Sequence, residues 1–238
     1  MRAVLFDLFE TLVSHFDPEW KPPTRTRAER LGVDERLWAE HWPVFETRWE
    51  RGEIAGYETA LARLCAVAGV RPDPRALAGL VRDYEEIRAI AFVPPEPAIE
   101  ALLVELRARG LRLALVSNAN DLDTAPWPAY PLARHFDAFV ASHEVGLMKP
   151  DPRIYALACQ KLDVRPDEAA FVGDGGSDEL RGAQEAGLRP FWASWFLDRW
   201  PEGIRPNGFP GGEWRQRPAQ HASPFPRLAR PADLLAAL

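Results

Sequence analysis

Polar side chains that could carry out nucleophilic or metal-assisted chemistry recur at or after the ends of apolar, strand-like runs in this sequence. Aspartate offers an oxygen nucleophile and a metal ligand, hydroxyl and amide groups bind anionic oxygens, and lysine balances negative charge. Each position alone has an ordinary explanation, because polar residues after strands commonly cap turns. Together they predict a single site. The residues are Asp7 with Thr11, Ser117 with Asn118, Lys149, and Asp174 with Asp178.

Asp7 follows the apolar run Ala3 to Phe6, which is rich in strand formers. A short run of this kind is typical of a buried central strand in a parallel sheet. Open α/β sheets bind ligands at the carboxyl ends of their strands, where Asp7 would then lie. A carboxylate buried there needs a metal or hydrogen bonds to offset its desolvation. An Asp that merely caps the next turn is the alternative interpretation of this stretch.

The elements that would position these residues alternate between strands and helices. This alternation predicts an α/β fold with a doubly wound parallel sheet. The apolar strand runs lie at 111–116, 136–141, 168–172 and 188–193, and helical patterns lie at 97–109, 151–162 and 178–186.

Residues 24–92 interrupt this alternation with helical periodicity, bracketed by proline clusters at 18–23 and 94–97. Three or four helices with short connections predict a small antiparallel bundle. We expect residues 17–92 to form a cap that opens and closes over a core made of 1–16 and 93–238. The alternative is that these helices simply pack on the sheet.

The composition of the chain argues against some classes of function. The net charge of -6 argues against a nucleic-acid or membrane-surface binder, and the two cysteines, Cys65 and Cys159, lie in apolar helical patterns typical of buried free thiols. The first strand begins at the N-terminus, leaving no room for a signal peptide, and no apolar run reaches membrane-spanning length. A cytoplasmic protein acting on a small-molecule substrate is expected. Residues 195–230 form a proline- and tryptophan-rich segment without an assignment, and the oligomeric state stays open.

In this order and spacing, the polar residues resemble the motifs of the haloacid dehalogenase superfamily of hydrolases, and the resemblance covers residues 2–193. It implies a Rossmann-like core, a helical cap inserted after the first motif, and a magnesium-dependent phosphatase. Asp7 matches the nucleophile and Thr11 the threonine four residues later. The remaining matches are Ser117 or Asn118 for the second motif, Lys149 for the third, and Asp174 with Asp178 for the acidic fourth.

Under this resemblance Asp7 attacks phosphorus and forms an aspartyl-phosphate that water hydrolyses. Mg²⁺ prefers oxygen ligands, and the expected ones are Asp7, the backbone carbonyl of Phe9 and Asp174, with Asp178 orienting them from just outside. Lys149 would balance the charge of Asp7 and the phosphate. Thr11, Ser117 and the amides near Asn118 would bind phosphate oxygens.

Phe9 departs from the family pattern, because most phosphatases of the family carry a second Asp at this position as general acid and base. Such help is typically worth about 10²–10⁴-fold in rate. The neighbouring Glu10 is a doubtful substitute, since successive strand residues point to opposite faces. The substrate could therefore carry a good leaving group, as an acyl phosphate does.

A 2-haloacid dehalogenase is the alternative, because haloalkanoate dehalogenases have an aromatic residue at the position of Phe9. There Asp7 would displace halide from carbon and form an ester without a metal. Tyr155 also fits that pattern, although it is about as well explained as a core residue. Asp174 argues against it as a poor neighbour for a carboxylate substrate. A degenerate, non-enzymatic binder of a phosphorylated ligand is a third hypothesis.

Overall fold

The computed structural model describes residues 1–15, 23–199 and 223–238. Within these residues six parallel strands form one sheet in the order β3-β2-β1-β4-β5-β6. The chain winds outward from the centre in both directions, which confirms the predicted doubly wound α/β fold. The strands are β1 (Ala3–Phe6), β2 (Arg112–Ser117), β3 (Ala138–Ala141), β4 (Ala169–Gly173), β5 (Arg189–Ala193) and β6 (Arg227–Leu228).

Helices cover both faces of the sheet, and a separate group of four precedes them in the chain. This group is α1 (Arg27–Leu31), α2 (Glu35–Glu50), α3 (Tyr57–Val67) and α4 (Pro74–Ala91). The others are α5 (Pro97–Ala108), α6 (Asp121–Thr124), α7 (Ser142–Val145), α8 (Pro152–Lys161), α9 (Glu179–Glu185) and α10 (Asp233–Ala237). Single 3₁₀ turns lie at Trp127–Ala129, Pro131–His135, Pro166–Glu168, Gly176–Asp178 and Leu197–Arg199.

β1 is the central strand because every one of its residues is apolar and can be buried on both faces. Val4 and Phe6 belong to the apolar cluster on one face of the sheet, and Ala3 and Leu5 to the cluster on the other. Both neighbouring strands run parallel to β1, with β2 on one side and β4 on the other. The residue after β1 is thereby fixed at the carboxyl edge of the sheet.

The predicted core strands and helices are confirmed, with ends that shift by no more than two residues. The strand predicted at 136–141 begins only at Ala138, and just before it the carboxylate of Asp137 accepts a hydrogen bond from Leu113 N at 2.9 Å. The edge strand β6 was missed, since a run of two residues carries no periodic signal.

The first four helices pack around an apolar cluster of their own, separate from the two clusters on the sheet. α2 contributes Trp38, Trp42, Phe45 and Trp49, which are buried and recur at three- and four-residue spacing. Asp34 and Asp73 cap the starts of α2 and α4 by accepting hydrogen bonds from backbone amides. The predicted helical bundle is therefore present.

The bundle meets the sheet domain closely at the turn after α2. Ser142 Oγ donates to the carbonyl of Glu50 at 2.6 Å. A Cβ built on Gly52 would lie 2.1 Å from the carbonyl oxygen of His143, and Gly52 has a φ of +70°. Only glycine fits this contact without a local shift of the backbone.

Two predictions fall on parts of the chain outside the described ranges. The proposed boundary between core and cap at residue 16 lies in residues 16–22, and most of the unassigned segment 195–230 lies in residues 200–222. Cys65 and Cys159 are buried and free, as predicted. None of the helices in the described ranges is long and apolar enough to cross a membrane.

Candidate active site

Asp7 lies directly beyond β1, at the carboxyl edge of the sheet. Its backbone amide donates to the carbonyl of Val172 at 2.9 Å, so the ladder between β1 and β4 continues to this residue. The side chain is only 10% exposed. Its Oδ1 accepts a hydrogen bond from Lys149 Nζ, which joins two residues 142 positions apart in the sequence.

Lys149 is buried between two carboxylates. Its Nζ donates to Asp7 Oδ1 and, at 2.5 Å, to Glu179 Oε2. Burial alone would lower the pKa of Lys149, but the charges of Asp7 and Glu179 outweigh it and raise that pKa above the ordinary value. The positive charge of Lys149 is therefore favoured by its place between the two carboxylates.

The side chain of Asn118 holds the Lys149 segment in place. Asn118 Oδ1 accepts a hydrogen bond from Lys149 N at 2.7 Å, and its Nδ2 donates to the Lys149 carbonyl at 2.8 Å. The amide side chain is thereby committed to the Lys149 backbone. Only the backbone of Asn118 is left to bind a phosphate oxygen. This agrees with the expectation that backbone amides near Asn118 bind phosphate.

Glu179 is a buried site residue that the sequence analysis missed. It begins α9, its side chain is 2% exposed, and Oε1 accepts a hydrogen bond from Gly175 N at 3.1 Å. Burial raises the pKa of Glu179 well above its ordinary value, while Lys149 opposes that rise. A Cβ on Gly173 would lie 2.0 Å from Glu179 Oε1, so glycine is required there.

A signal for Glu179 was present in the sequence. On a helix, residues three and four apart share a face, and Gly182 and Ala183 are apolar or small. Glu179 therefore lies on the buried face of α9. Its neighbour Asp178 shares a face with Arg181 instead, a pairing typical of the solvent side.

Asp178 does not join the other acidic groups. Its side chain is 53% exposed and forms an ion pair with Arg181. Its backbone has a φ of 55°, which turns the chain just before α9. The resemblance to the family implies that Asp178 orients the metal ligands from just outside. The structure differs, since Glu179 and not Asp178 occupies the buried position.

One carboxylate oxygen from each of Asp7, Asp174 and Glu179 lies within 4.8 Å of the others. Three acidic groups so close together carry more negative charge than Lys149 can balance. Carboxylate oxygens in this arrangement fit a hard divalent cation, which binds oxygen ligands. The predicted ligands Asp7 and Asp174 are thus brought together, in the company of Glu179.

Thr11 and Ser117 are buried, Thr11 in the turn after β1 and Ser117 at the end of β2. Thr11 Oγ1 has no hydrogen-bond partner within the described residues, while its carbonyl accepts from Trp195 Nε1 at 2.9 Å. A buried hydroxyl without a partner costs about 1–3 kcal/mol. Thr11 therefore has a hydroxyl available for an oxygen of a bound ligand.

The ring of Phe9 stacks on His15, with ring centroids 4.5 Å apart, and meets Phe92 edge-on at 6.4 Å. The neighbouring carboxylate of Glu10 accepts hydrogen bonds from Ser14 Oγ and His15 N, both at 2.9 Å. Glu10 thus stabilises the turn after β1. This structural role agrees with the expectation that Glu10 does not replace the missing general acid.

Tyr155 is a fully buried core residue whose hydroxyl donates to the carbonyl of Glu179 at 2.8 Å. It supports the start of α9, where Glu179 begins. Its agreement with the dehalogenase pattern therefore has an ordinary structural explanation.

A carboxylate beyond the central strand, a buried lysine paired to it and a nearby acidic group are the arrangement that the resemblance to a hydrolase family implies. Comparison with protein-family models places residues 1–187 in the family described as haloacid dehalogenase-like hydrolase. The chain belongs to this family. The predicted family, fold class and hydrolase activity are confirmed.

Two curated relatives are phosphatases. The chain is 44% identical over 195 residues to a phosphoserine phosphatase of Thermus thermophilus, covering 76% of this chain and 75% of that protein. It is 32% identical over 200 residues to a glyceraldehyde 3-phosphate phosphatase of Methanopyrus kandleri, covering 79% and 82%. A solved L-2-haloacid dehalogenase structure, 24% identical, matches with a TM-score of 0.55 over 100% of this chain and 98% of that one. At that identity the structural likeness shows the fold alone.

Proposed function

We propose that this protein is a Mg²⁺-dependent phosphatase that hydrolyses a small phosphorylated metabolite through an aspartyl-phosphate on Asp7. The observation that carries the proposal is the position of Lys149, held between Asp7 and Glu179 beside Asp174. The phosphatase names of the relatives support it.

In the first step a carboxylate oxygen of Asp7 forms a bond to phosphorus, and the bond between phosphorus and the leaving oxygen breaks, so that the leaving oxygen keeps the electron pair and, for an ester, takes a proton from solvent water. Water then attacks phosphorus and loses a proton to solvent, the bond between phosphorus and the Asp7 oxygen breaks, and inorganic phosphate leaves with the carboxylate restored. Lys149 holds Asp7 in position throughout and balances its charge. Thr11, Ser117 and backbone amides near Asn118 bind the phosphoryl oxygens.

Asp7, Asp174, Glu179 and the carbonyl of Phe9 would hold Mg²⁺, with Asp178 outside the group of close acidic oxygens. When bound, the ion supplies positive charge that stabilises the negative phosphoryl oxygens. The carboxylates fit this role by chemistry, because hard cations prefer oxygen ligands.

We also propose that residues 17–92 are a cap over a core made of 1–16 and 93–238. Side chains of the bundle bond to the segment after β2, where the site lies. Trp49 Nε1 donates to Asp121 Oδ1 at 2.5 Å, and the hydroxyl of Tyr84 donates to Asp123 Oδ1 at 2.8 Å. A cytoplasmic location, a small-molecule substrate and the absence of a nucleic-acid partner are part of the same proposal.

Dehalogenation remains the second candidate, since Phe9 is aromatic where a general acid would be expected. The acidic group weighs against it. Asp174 and Glu179 lie beside Asp7 and would repel a haloacid carboxylate in the absence of a metal.

A panel of phosphate esters, acetyl phosphate and 2-chloropropionate separates these candidates, each assayed with Mg²⁺ and with chelator. We expect phosphate release that requires Mg²⁺ and no chloride release. Chloride release that survives chelation would overturn the phosphatase proposal in favour of the dehalogenase. Failure to turn over any compound would favour a non-enzymatic binder.

Replacing Glu179 by Gln is expected to weaken Mg²⁺ binding. The substitution removes one charge from the acidic group and one charged partner from Lys149, and changes to groups that orient metal ligands typically cost about 10–100-fold in affinity. Calorimetric Mg²⁺ titration measures the effect. Glu185→Gln makes the same change at an exposed position of α9 and serves as the control. A smaller effect for Glu179→Gln than for Asp178→Asn would contradict the assignment.

A further inference from the structure

A buried polar cluster borders Phe9 where the bundle meets the core, and the chemistry proposed for Asp7 does not use it. We call it the Arg88 cluster. Its members come from α4, from the turn after β1 and from the segment after β2. They are Arg88, Tyr84, His15, Asn120 and Asp123.

Arg88 uses only part of its hydrogen-bonding capacity in this cluster. Its Nε lies 2.6 Å from Asp123 Oδ1, its Nη1 lies 3.0 Å from His15 Nε2, and its Nη2 donates to the hydroxyl of Tyr84 at 2.8 Å. A guanidinium carries five N–H donors. One N–H on each terminal nitrogen therefore has no partner in the part of the chain that the structure describes, although the side chain is only 13% exposed.

The partners hold the guanidinium in one place. Asp123 Oδ1 also accepts from Tyr84 at 2.8 Å, and Oδ2 accepts from Asn120 N at 3.0 Å. Burial first, and then the charge of Arg88, lowers the pKa of His15 well below its ordinary value, so His15 is a neutral acceptor at Nε2. Asp123 is thereby committed to fixing Arg88 and does not offer a separate ligand site.

The cluster contacts Phe9, which stands at the position where most phosphatases of the family carry the acid that protonates the leaving group. The Arg88 Cζ is 5.4 Å from the centroid of the Phe9 ring. Phe9 is two residues after Asp7, and Asn120 is three residues after Ser117. The cluster therefore rests on the same two segments that carry the proposed nucleophile and phosphate-binding groups.

We propose that Arg88 binds a carboxylate on the leaving group, which makes phosphate monoesters of hydroxy or amino acids the preferred substrates. This rests on the proposed phosphatase function and replaces the earlier expectation of an acyl phosphate substrate, with the leaving alkoxide protonated by solvent water. Two N–H groups on the two terminal nitrogens form a fork that matches the two oxygens of a carboxylate. A neutral alcohol would leave the buried guanidinium with the same unused donors.

Two substrates that differ by one carboxylate test the proposal: O-phospho-L-serine and O-phosphoethanolamine. We expect kcat/KM for phosphoserine to exceed that for phosphoethanolamine by about 10- to 100-fold, the range of a charged hydrogen-bonded pair. Arg88→Met is expected to bring this ratio close to one. Arg82→Met, which removes an exposed arginine from the same helix, is expected to keep the ratio of the unmodified protein.

Arg88→Lys keeps the charge without the fork and gives a second variant if Arg88→Met does not fold. We expect it to lose most of the preference. Equal kcat/KM for both substrates in the unmodified protein would overturn the carboxylate proposal and leave the phosphatase function intact. A preference that survives in both folded Arg88 variants would overturn it as well. Failure to release phosphate from any ester with Mg²⁺ counts against the phosphatase function itself.

Discussion

Asp7→Asn is expected to lower kcat for phosphate release by about 10⁴-fold or more, the scale on which loss of a catalytic nucleophile acts. The amide that replaces the carboxylate is a poor nucleophile toward phosphorus and a weaker ligand for a hard cation. Steady-state phosphate release with a saturating substrate measures the effect. The backbone contact between Asp7 N and Val172 does not depend on the side chain, so the fold should be retained.

Asp167→Asn provides the matched control for this prediction. Asp167 is 69% exposed and precedes β4, at the opposite edge of the sheet from Asp7. Its replacement is expected to leave kcat and the melting temperature close to those of the unmodified protein. If folded Asp7→Asn keeps more than a small fraction of the activity, Asp7 is not the nucleophile.

Lys149→Met is expected to have the second large effect, because it leaves two buried carboxylates without their common cation. Asp7 and Glu179 both accept from Lys149 Nζ, and the side chain of Lys149 is only 3% exposed. Removing one partner of a buried ion pair typically costs about 3–5 kcal/mol. Urea unfolding in chelator should show a loss of this size, and phosphate-release assays with Mg²⁺ should show loss of turnover.

Lys161→Met is the control, since Lys161 is exposed at the end of α8. Addition of Glu179→Gln to Lys149→Met should recover part of the lost stability, because one of the two unpaired charges is then removed. Equal unfolding free energies for Lys149→Met and Lys161→Met would contradict the inference that Lys149 stabilises the buried carboxylates of Asp7 and Glu179.

The position of Asp7 beyond a buried strand and the order of the sheet could be predicted from sequence because their signals are local. The apolar run before Asp7 indicates a buried strand, and the alternation after residue 97 indicates the order of elements. Neither depends on a contact between distant residues. The same is true of the bundle, whose tryptophans recur at helical spacing along α2.

Glu179 and Arg88 were missed because their roles depend on long-range contacts. The small residues Gly182 and Ala183 indicate a buried position for Glu179, but its role depends on Lys149, 30 positions away in the sequence. Arg88 lies close to Ile87 and Ala91 on the apolar side of α4, yet its partners His15 and Asp123 come from other segments. A charged residue on an apolar helix face was the available signal.

The side-chain contacts of Asn118 also could not be predicted from the sequence. The sequence analysis expected phosphate binding near it, and the structure commits its side chain to the backbone of Lys149, 31 residues away. Such a contact depends on how two loops meet at the edge of the sheet. Periodicity and motif spacing do not contain that information.

Identification of the phosphorylated residue during turnover tests the proposed mechanism most directly. The enzyme would be mixed with substrate and Mg²⁺, quenched with acid at successive times within a single turnover, digested and analysed by peptide mass. We predict a transient phosphoryl group on the peptide that carries Asp7, removed by hydroxylamine as expected for an acyl phosphate. A phosphoryl group on any other residue, or its absence at every time while phosphate is released, would contradict the account.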